Sequence, residues 1–399
     1  MNSLEIFSGA GGLAKGLEIA GFSHAAFVEF NKHACQSLAK NFEPRKVFCG
    51  DVRDYDFASL SDIDLVAGGP PCQPFSMGGK HQANADSRDM FPYAINAIAA
   101  LRPKAFVFEN VKGLLRASFS EYFDYVLLRL AFPHFCIAPD ESWQDHLEKL
   151  RNKALHEPDS VQYHVSYKLL NAADYGVPQC RERVVIVGTR SDLQCKWQFP
   201  LPTHSSEQLV FEKYVSGAYW KRHGVAPIDA TASAHLAVQR ATQVEAQPDL
   251  FAPKLAAWRT VRDALIGICD PREHHSIPEH EFRHGARSYP GHTGSDLDLP
   301  AKTIKAGGHG VPGGENMIAF PDGSVRYFTT FEAKRIQTFP DDFVIEGAWG
   351  EAMRQIGNAV PVLLARRLGD ALMSALTKKE HSTRTRTPNS ARIAVAELA

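Results

Sequence analysis

Leu4-Glu5-Ile6-Phe7-Ser8-Gly9-Ala10-Gly11-Gly12-Leu13 begins as a short apolar run and meets a glycine-rich turn, beyond which Leu13, Leu17 and Ala20 recur at helical spacing until Gly21. This order predicts strand, tight turn and helix. The glycines let backbone approach a ligand at the carboxyl end of the first strand, where open α/β sheets bind nucleotides. Downstream, Ala25-Ala26-Phe27-Val28 ends at Glu29, residues 32–40 read as helix, and Lys46-Val47-Phe48 precedes Gly50-Asp51. Asp64-Leu65-Val66-Ala67-Gly68-Gly69 and Ala105-Phe106-Val107-Phe108-Glu109 continue the series, with a helix over 92–101 between them. Apolar strands alternating with helices predict a parallel sheet covered on both faces. Residues 163–171 and 183–188 alternate in polarity around Tyr175-Gly176-Val177-Pro178, which predicts an antiparallel pair closing that sheet.

At 399 residues the chain has room for two or three domains of roughly 100–200 residues each. Its 44 basic and 45 acidic residues leave a formal charge of −1, which excludes a strongly basic nucleic-acid binder that works through a global field. No apolar run approaches the ~20 residues needed to span a bilayer, and the first residues lack a basic and apolar leader pattern. A cytoplasmic enzyme is expected. Seven cysteines, an odd number without a CxxC pair, argue against a disulfide framework or a structural zinc site. The βα rhythm stops near Asp192, and residues 192–300 carry 8 of the 17 histidines with little periodicity. The expected division is therefore 1–191, an irregular unit over 192–300, a return to the first domain over 301–376, and a disordered tail over 377–399. Residues 133–160 read as a polar insertion, with a helix over 143–155.

Glu29 lies 20 residues after Gly9, where a carboxylate can accept hydrogen bonds from ribose hydroxyls. Asp51, after the third strand, could receive an adenine amino group. The turn is not GxGxxG, and acidic strand ends suit a nucleoside better than a pyrophosphate; solvated carboxylates around a structural turn are the alternative. In Gly68-Gly69-Pro70-Pro71-Cys72-Gln73-Pro74-Phe75-Ser76, glycines and prolines fix the backbone around one thiol at a strand end. Such a thiol is a candidate nucleophile, whereas buried thiols are inert. Cys35, Cys49, Cys136, Cys180, Cys195 and Cys269 lack that setting and read mostly as small buried fillers. Glu109 at the end of an apolar strand is a candidate acid, with Asn110 beside it. Arg181 and Arg183, two apart, face the same side if extended, though a solvated strand edge explains them equally well.

Taken together, these residues resemble the DNA (cytosine-5) methyltransferases. Phe7-Ser8-Gly9-Ala10-Gly11-Gly12 looks like the family's first motif, Pro70-Pro71-Cys72-Gln73 its nucleophile motif, and Glu109-Asn110-Val111 its third signature. Gln179-Cys180-Arg181-Glu182-Arg183 is similar to its QxRxR block. Glu332-Ala333-Lys334-Arg335-Ile336-Gln337, Phe339-Pro340-Asp341 and Gln355-Ile356-Gly357-Asn358-Ala359-Val360-Pro361 follow in the family's order. Lys334 and Thr338 stand where arginine and glycine are more usual. The resemblance implies a Rossmann-like class I S-adenosylmethionine-dependent domain, an α/β fold, with a smaller irregular target-recognition domain. It implies Cys72, Glu109, Arg181 and Arg183 as catalytic residues, and Gln73, Ser76, Asn110 and Thr303 as contacts to the DNA. For S-adenosylmethionine it implies Phe7, Gly9, Gly11, Gly12, Leu13, Glu29, Phe30, Asp51, Val52, Pro71, Asn358 and Val360.

The implied reaction requires no metal and acts on double-stranded DNA, as a monomer, with a restriction endonuclease as an independent companion. A tRNA methyltransferase on the same core is a rival, but its usual Cys-Phe-Thr signature is absent. An NAD-dependent oxidoreductase leaves the Pro-Pro-Cys turn unexplained, and a binding protein without catalysis leaves Cys72, Glu109, Arg181 and Arg183 unexplained. His274, His275, His280 and His284 come without recognised metal-ligand spacing, so solvated or phosphate-contacting roles are expected. Arg259, Arg262, Arg283 and Arg287 are candidates for reading DNA.

Overall fold

Leu4 and Ile6 point to one face of strand β1 (Asn2–Ile6), Ser3 and Glu5 to the other, and this alternation sets the layers of the molecule. A computed structural model describes residues 1–71, 89–160, 162–193, 195–229, 235–246, 255–306 and 316–377. Strands β2 (Ser23–Glu29), β3 (Val47–Cys49), β4 (Leu65–Gly68) and β5 (Ala105–Val111) join β1 in parallel. Strands β6 (Tyr163–Asn171) and β7 (Glu182–Arg190) complete a seven-stranded sheet of order β3-β2-β1-β4-β5-β7-β6. The expected antiparallel pair is present, and β7 is antiparallel to β5 as well.

Leu4, Ile6, Val66, Phe106, Phe108 and Ile186 bury one face of the sheet under helices α3 (Phe91–Leu101), α4 (Ser120–Ala131) and α5 (Trp143–His156). Helices α1 (Gly12–Ile19) and α12 (Val362–Thr377) cover the other face, where Leu13, Leu17, Leu364, Leu368 and Leu372 meet Leu65, Ala67, Val107 and Val187. Leu38 of α2 (Lys32–Asn41) packs beside them on Ala14 and Phe27. Truncating a fully buried leucine such as Leu364 to alanine costs about 2–5 kcal/mol. Two glycines make the α1 junction possible. Gly11 caps α1 at φ 86, a left-handed conformation, and a Cβ on Gly12 would stand 2.4 Å from the Val360 carbonyl oxygen. A Cβ on Gly16 would likewise stand 2.3 Å from Ala365 Cβ, so the start of α1 packs closely on the start of α12 and the residues before it.

Residues 192–300 are more helical than their sequence suggests. They hold α6 (Ser206–Tyr214), α7 (Ala218–His223), α8 (His235–Ala246) and α9 (Val261–Ala264), with β8 (His204–Ser205) paired to β9 (Ala256–Ala257). These helices are short and bury few side chains, chiefly Leu209, Tyr219 and Trp220, so no long apolar stripe marks them. Val261, Leu297, Ala301 and Ile304 belong to a different core, which they share with Ile318, Phe328, Ile336 and Ile356. That core joins α9 to α10 (Thr330–Ile336) and α11 (Trp349–Asn358), and across it β10 (Ser295–Asp296) pairs with β11 (Met317–Ala319), which pairs with β12 (Val325–Tyr327).

Thr338, where glycine is usual in the family, has φ 59; its hydroxyl donates to the Gln337 carbonyl at 2.7 Å and accepts from the Leu363 N–H at 2.9 Å. Lys334 is buried and donates to the Glu279 carboxylate and, at 2.6 Å, to the Phe343 carbonyl. Of the six cysteines, most of them expected to be buried fillers, only Cys35 is buried; Cys49 and Cys136 are exposed, and Cys180, Cys195 and Cys269 are half-buried. Cys49 ends the edge strand β3, and Cys136, Cys180, Cys195 and Cys269 lie in connections between strands and helices, where fewer neighbours cover them. Among the described residues no helix is long and apolar enough to cross a membrane.

Candidate active site

Strand order reverses between β1 and β4, and open α/β sheets bind ligands in the crevice beyond the carboxyl ends at such a point. A cavity of about 410 Å³ lies there, within the ~300–1,000 Å³ usual for small-molecule sites. Phe7, Gly9, Gly12, Leu13, Glu29, Phe30, Pro71, Asn358 and Val360 line it, and so do Glu109, Asn110, Arg181 and Arg183. Residues separated by more than three hundred positions therefore share one wall. Gly11 sits behind the wall as the cap of α1. Asp51, Val52 and Thr303 are not part of the lining. Cys72, Gln73 and Ser76 lie outside the described residues; Pro71, immediately before Cys72, is on the cavity wall.

On the side of the first turn, Glu29 accepts from the Gly9 N–H at 2.8 Å and from the Asn31 N–H at 2.7 Å, one bond to each carboxylate oxygen. Each oxygen keeps a second lone pair for a ligand hydroxyl. Phe30 is 74% exposed, an open aromatic face beside that carboxylate. Phe7 holds φ 55, a conformation that side chains rarely adopt and that clusters at functional sites. Asp51 is engaged elsewhere. Its two oxygens take the Arg53 guanidinium at 2.9 and 2.5 Å, and this hydrogen bonding holds its carboxyl below the usual range.

Glu5 is the residue that sequence reading missed. It is fully buried on β1, lines the cavity, and neither carboxylate oxygen has a hydrogen-bond partner among the described residues. Burial pushes its pKa up to about 8. A buried carboxylate without a partner is costly, so the geometry fits a ligand that brings a cation or donors. S-adenosylmethionine, with a sulfonium and an α-ammonium, is such a ligand. The signal was present in the sequence as one acidic residue within the apolar run Leu4-Glu5-Ile6-Phe7, shortly before the glycine turn.

On the other side of the cavity, Arg183 Nε lies 2.7 Å from Glu109 Oε1, although the N–H is not aligned for a hydrogen bond. The β5–β7 ladder creates this meeting by placing Glu109 opposite Val185 and Val111 opposite Arg183. Arg181 is 1% exposed and donates to the Gly357 carbonyl at 2.8 Å and the Ile304 carbonyl at 3.3 Å, while its Nε has no partner among the described residues. Burial, with the neighbouring Arg183 charge, lowers its pKa to about 9, so it remains a cation at neutral pH. Gln179 supports the same segment: it donates to Gln337 Oε1 at 3.0 Å and accepts from the Ile304 N–H at 2.9 Å. Asn110 donates to the Pro70 carbonyl at 3.0 Å and so ties the Pro-Pro turn to β5. Thr303 donates to the Cys180 carbonyl at 2.8 Å, which holds the backbone next to Arg181.

The C-5 cytosine-specific DNA methylase family matches residues 1–134 and 143–374, a gap that falls inside the 133–160 insertion. The chain is 33% identical over 387 residues to the Type II methyltransferase M.NgoMIV of Neisseria gonorrhoeae, covering 94% of this chain and 98% of that protein. It is 32% identical over 381 residues to the Type II methyltransferase M.PspPI of Psychrobacter sp. (strain TA137), covering 94% and 79%. The S. pombe Dnmt2 methyltransferase structure shares the fold, with a TM-score of 0.55 at 16% identity over 95% of this chain and all of that one. The chain belongs to the C-5 cytosine-specific DNA methylase family and is a DNA cytosine-C5 methyltransferase of the Type II, restriction-modification kind.

Proposed function

We propose that this methyltransferase acts through a covalent bond between Cys72 and C6 of a cytosine turned out of double-stranded DNA. The family implies S-adenosylmethionine as methyl donor, and it supplies an electrophilic methyl group on a sulfonium. Cytosine C5 is a poor nucleophile until C6 is attacked. The Cys72 thiolate adds to C6, and Glu109 donates a proton or hydrogen bond at N3, so that the electron pair is held at C5, where the methyl is taken up. Loss of the C5 proton and breaking of the S–C6 bond return Cys72 as thiolate. Arg183 orients Glu109 and, with Arg181, holds the base O2. Because C6 is not accessible within a duplex, the base must leave the stack. Gln73 and Ser76 contact the DNA beside it, and Asn110 and Thr303 steady the pocket.

The observation that carries this reading is a single cavity walled by the Glu109–Arg183 pair on one side and by Glu5, Glu29 and Phe30 on the other. A flipped base and the methyl donor would meet there. Phe7, Gly9, Gly12, Leu13, Pro71, Asn358 and Val360 shape the donor's side. The protein acts as a cytoplasmic monomer, and target choice lies in 192–300; its Type II relatives suggest a separate restriction endonuclease for the same site. Bisulfite sequencing of DNA from cells expressing the chain tests the reading. One methylated motif is expected with the parent and none with Cys72→Ala, and a trapped adduct with 5-fluorocytosine DNA is expected only with the parent. Methylation by Cys72→Ala at the parental level overturns it.

A further inference from the structure

Cys269, His275 and His280 are separated by five and four residues in sequence, and their ligand-capable atoms all lie within 4.8 Å of one another. Among the described residues no other group of three histidine, cysteine or acidic side chains converges in this way. The loop that carries them is held against α10 at several points. The Phe331 N–H donates to the Glu279 carbonyl at 3.0 Å, the Glu279 carboxylate takes Lys334, and the Ile345 N–H donates to that carboxylate at 3.2 Å. His280 is completely buried, which corrects the solvated role expected from sequence, and its ring centre is 4.8 Å from that of His275. Cys269 and His275 are half-buried, so solvent reaches the cluster from one side.

We infer that Cys269, His275 and His280 form a structural site for a divalent transition metal of the zinc class, with water as the fourth ligand. One thiolate and two imidazoles are the donors that such an ion selects over hard cations. His280 Nε2–H now donates to the Cys269 carbonyl at 2.9 Å, and its Nδ1 lies 2.9 Å from the Thr329 hydroxyl. On binding, the ion replaces the Nε2 proton, and Nδ1 takes up a proton and donates to Thr329 Oγ1, the outer hydrogen bond that fixes most metal-bound histidines. The ring thus stays neutral. His275 binds through Nδ1 in place of the Ile277 N–H that it accepts at 3.3 Å and keeps its Nε2 proton, and Cys269 loses its thiol proton to solvent, so one proton is released per ion bound. The ion closes the 269–280 loop on itself beside the cap of α10, at the junction of the 192–300 segment and the core formed by α10 and α11.

The test uses the full chain and Co²⁺ as an optical probe. A thiolate-to-cobalt absorption band at one ion per chain is expected, displaced by Zn²⁺ and not by Mg²⁺, together with a Zn²⁺-dependent rise in melting temperature. Cys269→Ser should lose the band and Cys136→Ser, a change at an exposed thiol, should keep it. His275→Ala should weaken Co²⁺ binding by more than about tenfold, since removal of even an outer partner costs about 10–100-fold. Absence of the band in the parent, its persistence in Cys269→Ser, or parental affinity in His275→Ala overturns the assignment. Because His275→Ala alters a half-buried ring, it serves if Cys269→Ser does not fold.

Discussion

Arg183 Nε stands 2.7 Å from Glu109 Oε1 across two antiparallel strands, with about an eighth of each side chain exposed, 13% and 12%. Two charges this close and this dry act as a unit, and removal of one leaves the other uncompensated. Glu109→Gln keeps shape and hydrogen-bonding capacity but removes the acid, so turnover should fall by about 10²–10⁴-fold. Cofactor affinity should stay within a few-fold, as read by calorimetry. A variant that loses the cofactor but methylates normally when saturated would reverse the roles assigned to the two sides of the cavity.

Glu29 and Asp51 look alike in sequence, each an acid at a strand end, but the structure gives them different surroundings. Glu29 lines the cavity, whereas Asp51 is occupied by Arg53 and stands outside the lining. Glu29→Ala should therefore weaken S-adenosylhomocysteine binding more than Asp51→Ala does. Isothermal titration of both variants measures this ordering, and equal or opposite losses would place Asp51 at the ligand after all.

Glu5 predicts a pH dependence of definite sign. Its folded-state pKa is raised from 4.5 to about 8 by burial. The proton is thus held more tightly in the folded than in the unfolded chain, and the associated stability is complete below pH 4.5 and lost as the pH rises through 8. Glu5→Gln removes this loss. The ligand-free variant should melt higher than the parent, by a margin that grows from pH 5 to pH 8, while its affinity for S-adenosylhomocysteine falls. A variant less stable than the parent at pH 8 would show that Glu5 has an internal partner.

The contrast among these four acids shows what was legible in the sequence. The strand, glycine turn and helix around Gly9 were readable because their signals are local, and Glu109 was readable because an apolar strand delivers it. The different surroundings of Glu29 and Asp51 were not, since they depend on Arg53 taking one of two similar carboxylates. Arg181 was visible as half of a pair. Its anchoring to the Ile304 and Gly357 carbonyls brings together positions more than a hundred residues apart, which no local pattern encodes. The short helices between 206 and 246 escaped because few large apolar side chains, chiefly Leu209, Tyr219 and Trp220, mark their buried side. Cys269 escaped because its histidine partners meet it only after the loop folds back on α10.

Target choice should divide the four arginines proposed for reading DNA. Arg262 donates to both oxygens of Asp298 at 2.7 and 3.1 Å, and Arg283 pairs with Glu281 at 3.2 Å. Arg259 and Arg287 are exposed, without hydrogen-bond or ion-pair partners among the described residues, and remain free to reach a duplex. Arg262→Ala should chiefly lower stability. Arg259→Ala and Arg287→Ala should lower DNA affinity, by ~1–3 kcal/mol at the cognate site alone if the arginine reads guanine, or equally on all sequences if it meets phosphate. Affinities for cognate and altered duplexes at fixed salt separate the two cases. The cores also bear on how a specificity exchange should be cut. Val225, Ala257 and Trp258 pack around Leu209, Tyr219 and Trp220, whereas Val261 and Leu297 belong to the core of α10 and α11. Replacing 204–258 with the counterpart from a relative of different specificity should therefore preserve folding better than replacing 192–300, which breaks that shared core. If an active chimera of the longer kind kept the original motif in bisulfite reads, specificity would lie outside this segment, in residues 72–88 or 133–160.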